Sequence, residues 1–185
     1  MMYGTIPERL QELALSHTDR TAFVFLDDQG QEGDVVTWAE LDRRARRVAA
    51  WLQTRVEVGE RALLLYPPGL EYITAFFGCL YAGVIAVPSY PPDPIALDRS
   101  MERLRSIVDD CTPAVVLTNG MLAPVEGLVC ARIPSAGTIA WKNTDDMHQG
   151  TEHFWTRHVS TLSDVAFLQY TSGSTGDPRG VVISH

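Results

Sequence analysis

The chain has 185 residues, 45% of them hydrophobic, and a formal net charge of −8 at pH 7, enough for the core of one ordinary domain or most of two small ones. The acidic balance argues against a nucleic-acid surface, which carries a clustered basic excess. Cys79, Cys111 and Cys130 are odd in number and form no C-x-x-C pair, which fits a reducing cytoplasm better than a disulfide scaffold or a zinc site, and residues 1–10 show no basic stretch leading into an apolar one, so no secretory signal is read there.

Thr5-Ile-Pro-Glu8 has capping-box spacing with proline in the first turn, and Ile6, Leu10 and Leu13 recur at helical intervals, predicting a short first helix. Residues 22–26 predict a strand, 27–30 a turn and 35–37 a returning strand. Thr37-Trp-Ala-Glu40 is a second capping box. Behind it Trp38, Leu41, Ala45, Val48 and Leu52 give an amphipathic helix ending near Arg55. Arg43, Arg44, Arg46 and Arg47 form the one basic cluster, lie mostly away from that stripe, and are expected to face solvent.

From Arg61 the predicted elements alternate: strand 62–66, helix 70–82, strand 84–87, helix 97–110, strand 114–118. Such alternation implies parallel pairing with right-handed crossovers and helices covering the sheet. Leu70, Ile73, Phe77 and Leu80 form one expected buried stripe and Leu97, Met101, Leu104 and Val108 another, with Arg99, Arg103 and Arg105 in solvent. The longest apolar run, residues 72–88, falls just short of the roughly 18 residues of a membrane span. Gly83 divides it into a helix end and a strand.

Ser89-Tyr-Pro-Pro-Asp-Pro94 can join neither a helix nor a central strand and predicts an extended loop. Residues 119–163 give few signals, 138–141 being the best candidate strand. His148, His153 and His158 are spaced five apart and cannot share one helical face as metal ligands do. No metal site is expected there.

The apolar run 165–170 predicts a strand, and directly after it comes Thr171-Ser-Gly-Ser-Thr-Gly-Asp-Pro-Arg179. Gly173 and Gly176 lack a Cβ, so several backbone N–H groups can approach one anion. Thr171, Ser172, Ser174 and Thr175 add hydroxyl donors and Arg179 a permanent positive charge. The stretch is neither a Walker A loop, for no Gly-Lys-Ser/Thr follows, nor a G-x-G-x-x-G fingerprint. It reads as a nucleotide-phosphate loop, and residues 180–184 follow it as another strand with an apolar edge that invites association.

This loop resembles the signature of the adenylate-forming superfamily: acyl-CoA synthetases, luciferases, peptide-synthetase adenylation domains and fatty acyl-AMP ligases. Arg179 stands where the superfamily usually has lysine, keeping the charge with a different reach. The proline-rich connection from Ser89, after Ala86-Val-Pro88 and before Leu97-Asp-Arg99, resembles the fatty acyl-AMP ligases in particular. The resemblance implies an α/β fold, the N-terminal subdomain part of the adenylate-forming enzyme fold, with a largely parallel sheet and covering helices. It also implies ATP and Mg²⁺, with Thr171, Ser172, Gly173, Ser174, Thr175, Gly176 and Arg179 holding the β- and γ-phosphates and Arg179 as the catalytic cation.

Activation of a fatty acid to acyl-AMP and pyrophosphate is then expected, with transfer to an acyl carrier protein or a polyketide or peptide synthetase module. By the same resemblance residues 1–185 are a partial AMP-binding domain without the C-terminal lid domain and its catalytic lysine, so the isolated chain is expected to make no acyl-adenylate. Two other readings stay open: a CoA ligase or amino-acid adenylation domain, and a non-catalytic module that binds anions or partners.

Overall fold

Two sheets organise the residues that the computed structural model describes, 4–171 and 178–185. Helix α1 (Ile6–Ser16) starts at Thr5, whose hydroxyl accepts from the Glu8 N–H while the Glu8 carboxylate accepts from the Thr5 N–H, so the first capping box is complete. Strands β1 (Thr21–Leu26) and β2 (Glu32–Thr37) pair antiparallel as a sheet of their own. Helix α2 (Trp38–Leu52) stops short of Arg55, and its cap is one-sided: Thr37 accepts from the Glu40 N–H, but the Glu40 carboxylate turns to Arg43 and Arg44.

The second sheet has six strands in the order β6-β5-β3-β4-β7-β8, parallel except for the last pair. Along the chain these are β3 (Arg61–Leu65), α3 (Leu70–Ala82), β4 (Ile85–Ser89), α4 (Leu97–Cys111), β5 (Val115–Thr118), α5 (Val125–Arg132), β6 (Ala140–Asn143), β7 (Val165–Thr171) and β8 (Arg179–Ser184). The mostly parallel sheet and its covering helices match the expected class. Helix α5 was not predicted, and β6 begins two residues later than its predicted strand because a 3-10 turn, Pro134–Thr138, precedes it.

Alternation along β3 explains the two cores. Ala62, Leu64 and Tyr66 pack with α2 and α3 on one face, while Leu63 and Leu65 pack with α4 and α5 on the other. Burying a leucine side chain fully is worth roughly 1.5–3 kcal/mol. The stretches buried on both faces must therefore be apolar, as residues 62–65 of β3 and 115–117 of β5 are. Helix α3 departs from its expected stripe: Leu70 and Leu80 are buried, but Ile73 and Phe77 only partly. Its last turn is closed in on several sides, through Gly78, Cys79, Tyr81 and Ala82. At Gly78 the helices cross so closely that a Cβ would lie 2.5 Å from the Val48 Cβ. Gly83 ends α3 at a left-handed φ of 73°, splitting the long apolar run as expected, and no helix among the described residues is long and apolar enough to cross a membrane.

The arginine cluster of α2 corrects the solvent reading. A strap of chain around the 3-10 turn Thr151–Phe154 lies across the helix. Glu152 accepts from Arg47 Nε at 3.0 Å and from Arg43 Nη1 at 3.2 Å, and the Arg47 side chain keeps only 14% of its surface exposed. Those guanidinium groups, Arg47 first, hold the Glu152 carboxyl down at about 2. Next along the strap, the Trp155 ring stacks on Tyr81 with centroids 5.1 Å apart, under the Arg46 guanidinium at 4.5 Å. The Trp155 indole N–H donates to the Tyr81 carbonyl at 3.1 Å, and the Tyr81 hydroxyl donates to buried Asp42 at 2.7 Å.

Candidate functional site

In open parallel sheets, ligands bind beyond the carboxyl ends of the strands. Here the carboxyl ends of β3, β4 and β7 open into a cavity of about 480 Å³. Phe23 and Phe25 of β1 form one wall, and Tyr66, Pro67 and Pro68, where β3 gives way to α3, form another. Tyr72 and Ile73 come from α3, Ser89 and Tyr90 from the end of β4, and Gln169 and Tyr170 from the end of β7. Among the described residues, Arg103 of α4 is the one charged side chain on this wall.

Two of the phenols in this cavity are tied down. Tyr66 shares a 3.1 Å hydrogen bond with the Thr144 hydroxyl, which donates to the Thr118 carbonyl at 3.0 Å. Burial pushes the Tyr66 phenol far above its ordinary range, and raises Tyr72 as well. Tyr170 is 4% exposed and its hydroxyl donates to Asp110. Burial, then that hydrogen bond, pushes its phenol well up. All three phenols are therefore neutral near pH 7 and act as donors or dipoles rather than as bases.

The sequence-predicted phosphate residues frame this edge. Thr171 is the last residue of β7 and Arg179 the first of β8, both exposed and directly paired in the antiparallel ladder. The two ends of the motif thus meet beside Tyr170. Ser172, Gly173, Ser174, Thr175 and Gly176 lie outside the described residues. Arg103 corrects its expectation: it is half-buried and donates to the Tyr170 carbonyl at 3.4 Å, while Arg99 and Arg105 are exposed as expected. The cavity aromatics were missed by the sequence reading. The signal that could have found them is Tyr66-Pro-Pro-Gly69, an abrupt break straight after a buried strand.

Residues 10–185 match the family model described as AMP-binding enzyme. The medium-chain-fatty-acid acyl-carrier-protein ligase JamA of Moorena producens is 39% identical over 184 residues, covering 99% of this chain and 31% of that protein. The long-chain-fatty-acid AMP ligase FadD23 of Mycobacterium tuberculosis is 37% identical over 191 residues, covering 100% of this chain and 32% of that protein. Among solved structures, the fatty acyl-adenylate ligase of L. pneumophila in complex with acyl adenylate and pyrophosphate superposes with a TM-score of 0.86 at 34% identity, covering 100% of this chain and 31% of that one. The chain spans about a third of the length of these relatives.

Proposed function

The chain belongs to the AMP-binding enzyme family, and on that premise we propose that it is the N-terminal part of an ATP-dependent fatty acyl-AMP ligase. The observation that carries the reading is the direct pairing of Thr171 with Arg179 at the carboxyl edge of the sheet, at the two ends of a stretch whose residue types suit phosphate. The fatty-acid specificity is supported by similarity, along the full chain, to the ligases named above.

In this reading a carboxylate oxygen of the fatty acid attacks the α-phosphorus of ATP. The bond to the bridging oxygen breaks, and pyrophosphate leaves with the electron pair. Charge moves onto the β- and γ-phosphates, so preorganised donors there stabilise the transition state more than the ground state. Thr171, Ser172, Ser174 and Thr175 would supply hydroxyls, Gly173 and Gly176 close backbone approach, and Arg179 the cation. Mg²⁺ is expected to arrive with the phosphates, since it keeps few protein ligands and binds through substrate phosphates. The groups that close over adenine and supply a catalytic lysine would belong to other parts of the full-length enzyme.

The acceptor in this proposal is the pantetheine thiol of an acyl carrier protein, free-standing or within a polyketide or peptide synthetase module, in the cytoplasm, where the free thiols Cys79, Cys111 and Cys130 stay reduced. A second reading, transfer to CoA, is favoured by 37% identity over 190 residues to a putative fatty-acid CoA ligase of Mycobacterium bovis. The test is pyrophosphate exchange by the full-length protein with fatty acids or amino acids, followed by product analysis with CoA or holo-carrier protein. Fatty-acid-dependent exchange with acyl transfer to the carrier is the expected result. Exchange with amino acids alone sinks the fatty-acid reading, and acyl-CoA as the product moves the assignment to the second.

A further inference from the structure

Two side chains about two turns apart on α4 reach the same residue of β7. Arg103 Nη2 donates to the Tyr170 carbonyl at 3.4 Å, and Asp110 accepts from the Tyr170 hydroxyl. Neither contact belongs to the strand ladder, which already pairs Tyr170 with Gly180. Gly180 lies close against the ring: a Cβ there would lie 3.0 Å from Tyr170 Cζ. Tyr170 is thus held at backbone, ring and hydroxyl, while its neighbour Thr171 and the facing Arg179 are exposed.

A residue fixed at three points next to two exposed polar ones is a mount. Sheet stability alone does not require it, since β7 and β8 already pair from Val165 to Thr171. Strand ends normally fray, and a site that must meet an anion within a few tenths of an ångström gains from a fixed origin. We infer that Arg103 and Asp110 are positioning residues: through Tyr170 they fix Thr171 and Arg179 where the leaving phosphates of the nucleotide must be met. The inference rests on the ligase reading for its nucleotide, but not on the identity of the acid.

The test uses the full-length protein and its Tyr170→Phe, Arg103→Met and Arg103→Lys variants, with ATP·Mg titrated calorimetrically and KM measured separately for ATP and for fatty acid. Tyr170→Phe keeps the ring and removes only the bond to Asp110. It and Arg103→Met should each weaken ATP binding by about 10-fold, the scale of one charge-assisted hydrogen bond. The KM for fatty acid should stay unchanged, and Arg103→Lys should recover most of the loss. Variants that bind ATP as tightly as the wild type overturn the inference. So does an equal loss for both substrates in step with a lowered melting temperature, which marks a merely structural role. A wild type that binds ATP but shows no fatty-acid-dependent exchange defeats the fatty-acid reading instead, and the titrations still decide the role of α4.

Discussion

In the β1–β2 hairpin the turn satisfies itself: Asp27 Oδ1 accepts from the N–H groups of Gln29 and Gln31, and Gly30, at a φ of 75°, donates back to the Asp27 carbonyl. Its donors are spent internally, so the turn has little to offer a ligand. The β7–β8 hairpin is held from outside, by α4 acting on Tyr170, and presents Thr171 and Arg179 as exposed groups. Paired strand ends can be fixed by their own turn or by a neighbouring element. Only the second arrangement leaves polar groups free to meet an anion without losing the fold.

The hardest break falls on the outward-facing hairpin. If the proposed function holds, Arg179→Ala in the full-length protein should lower fatty-acid-dependent pyrophosphate release at saturating ATP by about 10²–10³-fold, the scale for removing one preorganised transition-state donor. Arg179→Lys should restore much of it. Equal turnover of Ala variant and wild type would move the phosphate role to Thr171 and the backbone.

Glu152 sharpens the contrast, because it too is held from another element yet does not line the cavity at the carboxyl edge of the sheet. Glu152→Ala should cost about 2 kcal/mol in chemical denaturation while the KM for ATP stays unchanged. Since the folded carboxyl sits at about 2, below its ordinary 4.5, the contribution is full above the ordinary value and fades as pH falls through the folded one. The gap between wild type and variant should therefore be wide at pH 6 and close as pH approaches 2. A gap independent of pH would show that packing, not charge, holds the strap. Asp27→Ala is the mildest change, costing about 1 kcal/mol by loss of the turn bonds and leaving pyrophosphate release untouched. A fall in release would mean that the hairpin wall of the cavity is more sensitive to its far turn than its own bonding implies.

What could be read in the sequence was what is encoded nearby. The alternation from Arg61 to Thr118, the cap at Thr5 and the left-handed stop at Gly83 each depend on residues within a few positions, and each appears in the structure. The strands on either side of the proposed phosphate motif, one ending at Thr171 and the other starting at Arg179, were legible for the same reason. Arg47 and Arg103 were misread because their partners, Glu152 and Tyr170, lie far along the chain and meet them only after folding. Helix α5 escaped because Val129 alone of its residues is fully buried, and Gly127 breaks what little period remains. Its existence depends on α4 and the turn before β6, not on its own pattern.

Trp155 gives the strap an optical signature. Its indole lies 5.1 Å from the Tyr81 ring, nearly parallel to it, with the Arg46 guanidinium on its π-face. Light absorbed by Tyr81 should pass to this indole, whose emission reports a half-buried, cation-covered site. Detachment of the strap from α2 would shift that emission to the red and end the transfer while the parallel sheet, and its far-ultraviolet signal, persist. The difference spectrum between wild type and Trp155→Phe isolates this reporter from the other tryptophans, so the periphery of the molecule can be watched opening separately from its centre.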